Sequence, residues 1–120
     1  MELPDDWVPA PDGSQVRILL RAGDRGSMAH FRLLPHQLSG AVQHREVDEL
    51  WYVVAGSGEM VVGEGEPFRL QRDVAVHVPP RSRFQFRAGG DGLDIVGVTM
   101  PPWPGDAEAL AAEPYWPESG

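Results

Sequence analysis

Short apolar runs alternate along this chain with clusters of turn-forming residues, and almost nowhere does the pattern repeat at the helical period. The runs cover residues 16–20, 28–34, 50–55, 59–62, 68–70, 74–78, 84–87 and 93–100. Between them stand Gly23-Asp24-Arg25-Gly26, Gly56-Ser57-Gly58, Gly63-Glu64-Gly65, Pro79-Pro80 and Gly89-Gly90-Asp91-Gly92, the residue types that reverse a backbone. Runs this short, closely punctuated, predict strands rather than helices, and a series of them predicts an all-β sandwich or barrel.

Period-two alternation assigns faces. From Glu49 onward, Glu49, Trp51, Val53 and Ala55 share one face and Leu50, Tyr52 and Val54 the other. Both are apolar beyond Glu49, so the strand is expected to be central and covered on both sides. Phe84 and Phe86 point one way, with Gln85 and Arg87 opposite; His77 alternates with Val76 and Val78 and turns outward if they turn in. Residues 1–14, rich in proline and acid, predict an extended arm lying across the surface, anchored by Trp7 and Val8. Residues 15–100 make the barrel, and residues 101–120 a proline- and aromatic-rich tail packing on it. Within the tail, residues 106–112 suit a helical turn or two capped by Asp106.

The 120 residues, 42% hydrophobic with a net charge of −8, make one globular domain around a single core. The acidic balance argues against nucleic acid and against an anionic membrane, since both need a basic face. With no cysteine there is neither a disulfide nor a thiolate ligand; with every basic residue an arginine, Schiff-base chemistry is excluded. An acidic start without a hydrophobic stretch, and no run near the ~18 apolar residues of a spanning helix, make the cytoplasm the expected location.

The richest chemistry lies between His44 and Gly58. His44 and Glu49 stand five apart, with Glu49 opening an apolar strand, so imidazole and carboxylate can meet over one cavity. Such a pair serves either as a metal site or as an acid–base couple. Glu46, two residues beyond His44, shares its face if the strand continues, and is the third candidate donor.

The run Glu49-Leu-Trp-Tyr-Val-Val-Ala-Gly-Ser-Gly58 resembles the cupin superfamily of small β-barrels of the jelly-roll type. Glu49 and Gly56 match the Glu and Gly that close the family's first motif, and His44 matches its second histidine. The first histidine position falls on Val42 and the leading glycine on His36. In the second motif, aligned on Pro79, the two glycines fall on Asp73 and Arg81, the histidine on Phe84 and the asparagine on Ala88. The run from His44 to Val53, the residues 84–87 and the residues 99–105 are similar to a group of small stand-alone bacterial cupins.

The resemblance implies a single-domain cupin jelly-roll barrel over roughly residues 28–100. It also implies one divalent metal ion (Zn, Mn, Fe or Ni), for which this chain offers His44, Glu49 and Glu46. Without metal, Glu49 set beside Trp51 and Phe84 in a dry cavity acquires a raised pKa and becomes an acid–base group with His44 as its complement. Trp51, Phe84, Phe86 and His30 are the candidate ligand-binding residues, although the aromatic three suit plain barrel core better than a ligand cage, by about two to one. Three functions follow: an isomerase-, lyase- or cyclase-type enzyme working with Glu49 and His44; a non-catalytic module binding a small ligand; or a divergent metal-dependent enzyme. Cupins commonly pair, so a homodimer is expected, with Trp7, Trp103 or Trp116 at the contact.

Overall fold

The computed structural model describes residues 6–117. They form nine strands: β1 (Val8–Pro9), β2 (Gln15–Ala22), β3 (Gly26–Leu33), β4 (Val42–His44), β5 (Asp48–Val62), β6 (Phe68–Gln71), β7 (Ala75–Val78), β8 (Phe84–Met100) and β9 (Ala109–Ala111). All pairings are antiparallel. Among the described residues no helix is long and apolar enough to cross a membrane.

The two long strands organise the barrel. β5 and β8 pair along their length, from Asp48↔Met100 to Val62↔Phe84. At one end β8 also pairs with β3, which carries β2 and then β1, while β5 pairs with β7. At the other end β5 pairs with β6, and β8 meets β4, which carries β9. The result is a curled sheet whose two layers share β5 and β8 and face each other across the core, in the jelly-roll manner. Phe86, Met60, Leu70, Val53 and Ile95 are fully buried there.

Three expectations are corrected. Gly56-Ser57-Gly58 and the 89–92 cluster are not reversals; they lie inside β5 and β8, where the strands bend from one layer to the other. Gly56 has φ 89°, and a Cβ there would sit 2.0 Å from the Gly92 carbonyl oxygen, so the two backbones cross where only glycine fits. The second correction concerns the outer face of β5, which is open: Leu50 and Tyr52 are 47% and 45% exposed. Alternation distinguishes two faces without saying which is covered, and β7 and β8 flank β5 edge to edge rather than over its face. Third, residues 106–112 make a 3₁₀ turn at Asp106–Glu108 followed by β9. The free edge of β4 offers backbone partners at Val42, Gln43 and His44, and that tertiary pairing overrides the high helix propensity of an alanine-rich stretch.

Of the expected arm, residues 1–5 lie outside the described residues, and the rest is held at the anchors Trp7 and Val8. β1 is the outermost strand of its layer, paired Val8↔Val16, and the chain then turns inward, where Gly40 donates to the Asp12 carbonyl. Trp7 lies under the Arg17 and Arg32 guanidiniums, 4.6 and 4.0 Å from its ring centroid. Trp103 packs edge-on against His44, and Trp116 lies under Arg87 while its amide donates to Gln85. All three tryptophans expected at a dimer contact are thus engaged within their own chain.

Three non-glycine residues among those described have a left-handed backbone: His36 (φ 64°), Asp73 (φ 73°) and Arg81 (φ 63°). These are the three motif glycine positions at which this chain carries another residue; the fourth is Gly56. The side chains changed while the backbone kept the turn, at a cost that glycine does not bear.

Candidate functional site

One end of the barrel is hollow. A cavity of about 210 Å³ is lined by β5 (Glu49, Trp51), β8 (Phe84, Gly97, Thr99), β4 (Val42, His44) and β3 (Ser27, Ala29, Phe31). Both ends of the described chain close it: Val8, Pro9, Ala10, Pro11 and Asp12 on one side, Trp103, Asp106 and Ala109 on the other. Its volume corresponds to about seven waters at roughly 30 Å³ each.

Sequence alternation places Glu49 and Trp51 inward on β5, and Gly97, opposite Trp51 in the register, makes their room. A Cβ at Gly97 would meet Phe31 Cε1 at 2.9 Å and Glu49 Oε1 at 3.3 Å. The Trp51 indole N–H donates to Glu49 Oε1. The other oxygen, Oε2, lies 3.7 Å from His44 Nδ1. Both side chains are almost wholly buried, and Nδ1 has no hydrogen-bond partner.

That spacing is within ion-pair range, yet the environment opposes the charges. Burial raises the Glu49 pKa to about 8, against a weaker pull downward from the Trp51 hydrogen bond and with a further push from Asp12. Burial also lowers His44, only partly offset by the Glu108 carboxylate. At neutral pH the couple is therefore a carboxylic acid beside a neutral imidazole. Because Oε1 accepts from Trp51, the acid proton resides on Oε2, the oxygen facing His44.

Two residues invisible to sequence reasoning complete the site. Asp12 accepts from the backbone N–H and the hydroxyl of Ser14, at 2.9 and 2.6 Å. Burial nevertheless raises its pKa. Glu108 holds the loop between His44 and Glu49: its Oε2 accepts from the amides of Glu46 and Val47 at 2.7 and 2.8 Å. Burial alone would raise Glu108; those amides and His44 overcome it, and its pKa is lowered. Only the D-x-S turn pattern of residues 12–14 hinted at the first, and nothing in the sequence at the second.

Of the sequence candidates, Glu49, His44, Trp51 and Phe84 come together around the cavity. Phe86 does not line it; fully buried, it packs edge-on against Trp51 and Phe31 as core. His30 lies on the opposite face of β3 from Phe31, bonded to Asp94 and Arg17 at 2.8 and 3.0 Å. Glu46 does not join the couple either. β4 ends at His44, the chain turns, and Glu46 is exposed with its amide rather than its carboxylate directed into the loop.

The donor set therefore does not fit a divalent ion. Val42 and Phe84, standing where the resemblance would place histidines, pair directly across β4 and β8 and present apolar walls to the cavity. Among the described residues no three His, Asp or Glu side chains are gathered as a metal site would need.

The fold and the cavity define a small β-barrel with a pocket in one end, and the chain belongs to the cupin family: the Cupin domain family matches residues 29–99. No curated protein matches the sequence. Among solved structures, KdgF from Halomonas sp. is 22% identical over 82% of this chain and 88% of its own, with a TM-score of 0.72. Pac13 of Streptomyces, described as a unique nucleoside dehydratase, is 12% identical over 90% of this chain and 84% of its own, at 0.73. A cupin 2 conserved barrel domain protein from Salinispora arenicola is 18% identical over 83% of this chain and 87% of its own, at 0.70.

Proposed function

We propose that the protein is a small-molecule enzyme of the isomerase, lyase or cyclase type, with Glu49 as general acid and His44 as general base. The observation that carries this is the buried couple itself, an acid held protonated by burial 3.7 Å from an unpaired imidazole nitrogen in the wall of the barrel-end cavity. Groups whose environments push their pKa values apart in this way divide acid and base roles between them. That Pac13, on the same fold, is a dehydratase agrees with chemistry of this type.

In the proposed reaction His44 Nδ1 takes a proton from a carbon next to a carbonyl. The C–H electron pair becomes part of a C=C bond, and Glu49 Oε2 gives its proton to the carbonyl oxygen, or to a departing hydroxyl that leaves as water. His44 then carries the extra proton and Glu49 the negative charge, and return of one proton resets the couple. Trp51 acts as a positioning residue, since its N–H decides which carboxyl oxygen is the acid. Glu108 positions both groups through the loop that joins them.

Deuterium uptake from D₂O into a panel of small hydroxy-carbonyl compounds tests the proposal. Uptake by the wild type and a fall of about 10²–10⁴-fold in both Glu49→Gln and His44→Ala is the expected outcome. Rates unchanged in either variant, with the fold intact by circular dichroism, would defeat it. In the free enzyme the profile is bell-shaped, falling above pH about 8 as Glu49 ionises and falling at low pH as His44 takes a proton.

A further inference from the structure

The cavity lining has a marked chemical bias. Asp12, Glu49 and the exposed Asp106 are the acidic residues of its lining, which contains neither arginine nor lysine. Five aromatic rings form a continuous chain around it: Phe31, Trp51, Phe84, His44 and Trp103. Neighbouring centroids in that chain are 4.7, 5.6, 5.2 and 5.0 Å apart, with planes crossing at 67°, 90°, 79° and 69°. Rings at such steep angles make walls on more than one side of a space, the arrangement that receives a cation against π faces.

The hydroxyls that also line the cavity are engaged with one another and with Asp12, one O–H hydrogen of the Ser27–Thr99 pair being left over. Ser27 and Thr99 share a hydrogen bond at 2.5 Å, and Ser27 Oγ accepts from the Trp103 amide as well. Ser14 gives both its N–H and its hydroxyl hydrogen to Asp12. Beyond that hydrogen, what remains toward a ligand is the carboxyl groups and the unpaired Nδ1 of His44. A molecule that brings N–H donors and positive charge finds its counterion in Asp12, beside the protonated Glu49; one that brings a carboxylate or phosphate finds no cationic side chain in the lining.

We propose that the ligand of this cavity is a small organic ammonium ion, received by the Asp12 carboxylate and walled by Trp51, Trp103 and Phe84. This names the substrate class of the site proposed above, but binding is read without turnover, so the two ideas fail separately. An ammonium ion that binds while no deuterium is exchanged sinks the acid–base reading alone.

The test uses three probes of matched shape on the full chain: neopentylammonium, neopentyl alcohol and pivalate, titrated by calorimetry at neutral pH. The ammonium ion is expected to bind at least about tenfold more tightly than the alcohol, with no saturable binding of pivalate. Asp12→Asn, which keeps an acceptor for Ser14, and Trp103→Leu should each remove most of that preference while circular dichroism is unchanged. The proposal is overturned if the alcohol binds as well as the ammonium ion, if pivalate binds best, if none of the three binds, or if the preference survives both substitutions.

Discussion

The two ends of the barrel are built from the same two strands and have opposite interiors. At the packed end, β5 and β8 turn Met60, Phe86 and Leu93 inward, and with Leu70 of β6 they leave side chains at 0–1% exposure. At the hollow end the same strands turn Glu49, Trp51, Gly97 and Thr99 inward, with Val42, Ala29 and Ser27 from neighbouring strands. Small residues replace bulk, and buried polar groups replace hydrocarbon. The packed end is where burial of apolar surface stabilises the fold, and the hollow end is where the fold gives up packing for a chamber.

If that division is right, truncation should be felt most at the packed end. Met60→Ala removes a fully buried side chain and should cost about 2–5 kcal/mol in denaturant unfolding. Val42→Ala, which only widens an existing space, should cost about 1 kcal/mol. Equal losses would erase the distinction between the two ends.

The hollow end should instead govern the dependence of stability on pH. Glu49 titrates near 8 in the folded chain and near 4.5 when exposed, so the folded state holds a proton that the unfolded state releases. Its contribution is greatest below pH 4.5 and is lost as pH rises to about 8, a difference of order 5 kcal/mol. Asp12, also raised, has the same sign above its ordinary value. The lowered His44 acts oppositely, favouring the fold above its unfolded value and losing that advantage as pH falls. Glu49→Gln should flatten the decline between pH 5 and 8 in thermal melts; an unchanged slope would place the titrating group elsewhere.

Gly97→Ala probes the boundary between chamber and packing. Its methyl group would press on Phe31, Glu49 and Trp51, and a cost of about 1–3 kcal/mol with a weakened Trp51–Glu49 bond is expected. Near-UV circular dichroism and the Glu49 titration read the two effects separately. The smallest change expected is at Arg81, remote from this contrast. Arg81→Gly relieves a left-handed backbone at some entropic cost and should leave stability unchanged or raised by about 0.5 kcal/mol.

The sequence made some of this legible and concealed the rest for identifiable reasons. Strand periodicity and the register of Glu49 with Gly56 led to the barrel, and the displaced motif glycines matched His36, Asp73 and Arg81 one for one. His30 and Phe86 were misplaced because alternation gives relative faces, whereas the chamber occupies only one end of one face. Glu46 failed because a two-residue rule holds along a strand, and the strand had ended. Asp12, Trp103 and Glu108 reach the site through pairings of chain segments far apart in sequence, and no local pattern records those. The glycine clusters were read as reversals because the same φ freedom that turns a chain also lets one long strand bend beneath another.

The chamber is closed by residues 8–12 and again by residues 103–109, outside the stretch that makes the ring of paired strands. During synthesis that ring can pair as soon as Met100 has emerged, but the chamber then still lacks Trp103, and Glu108 is not yet present to hold the loop between His44 and Glu49. Two of the contacts that shape the site thus come from residues laid down after the last residue of β8.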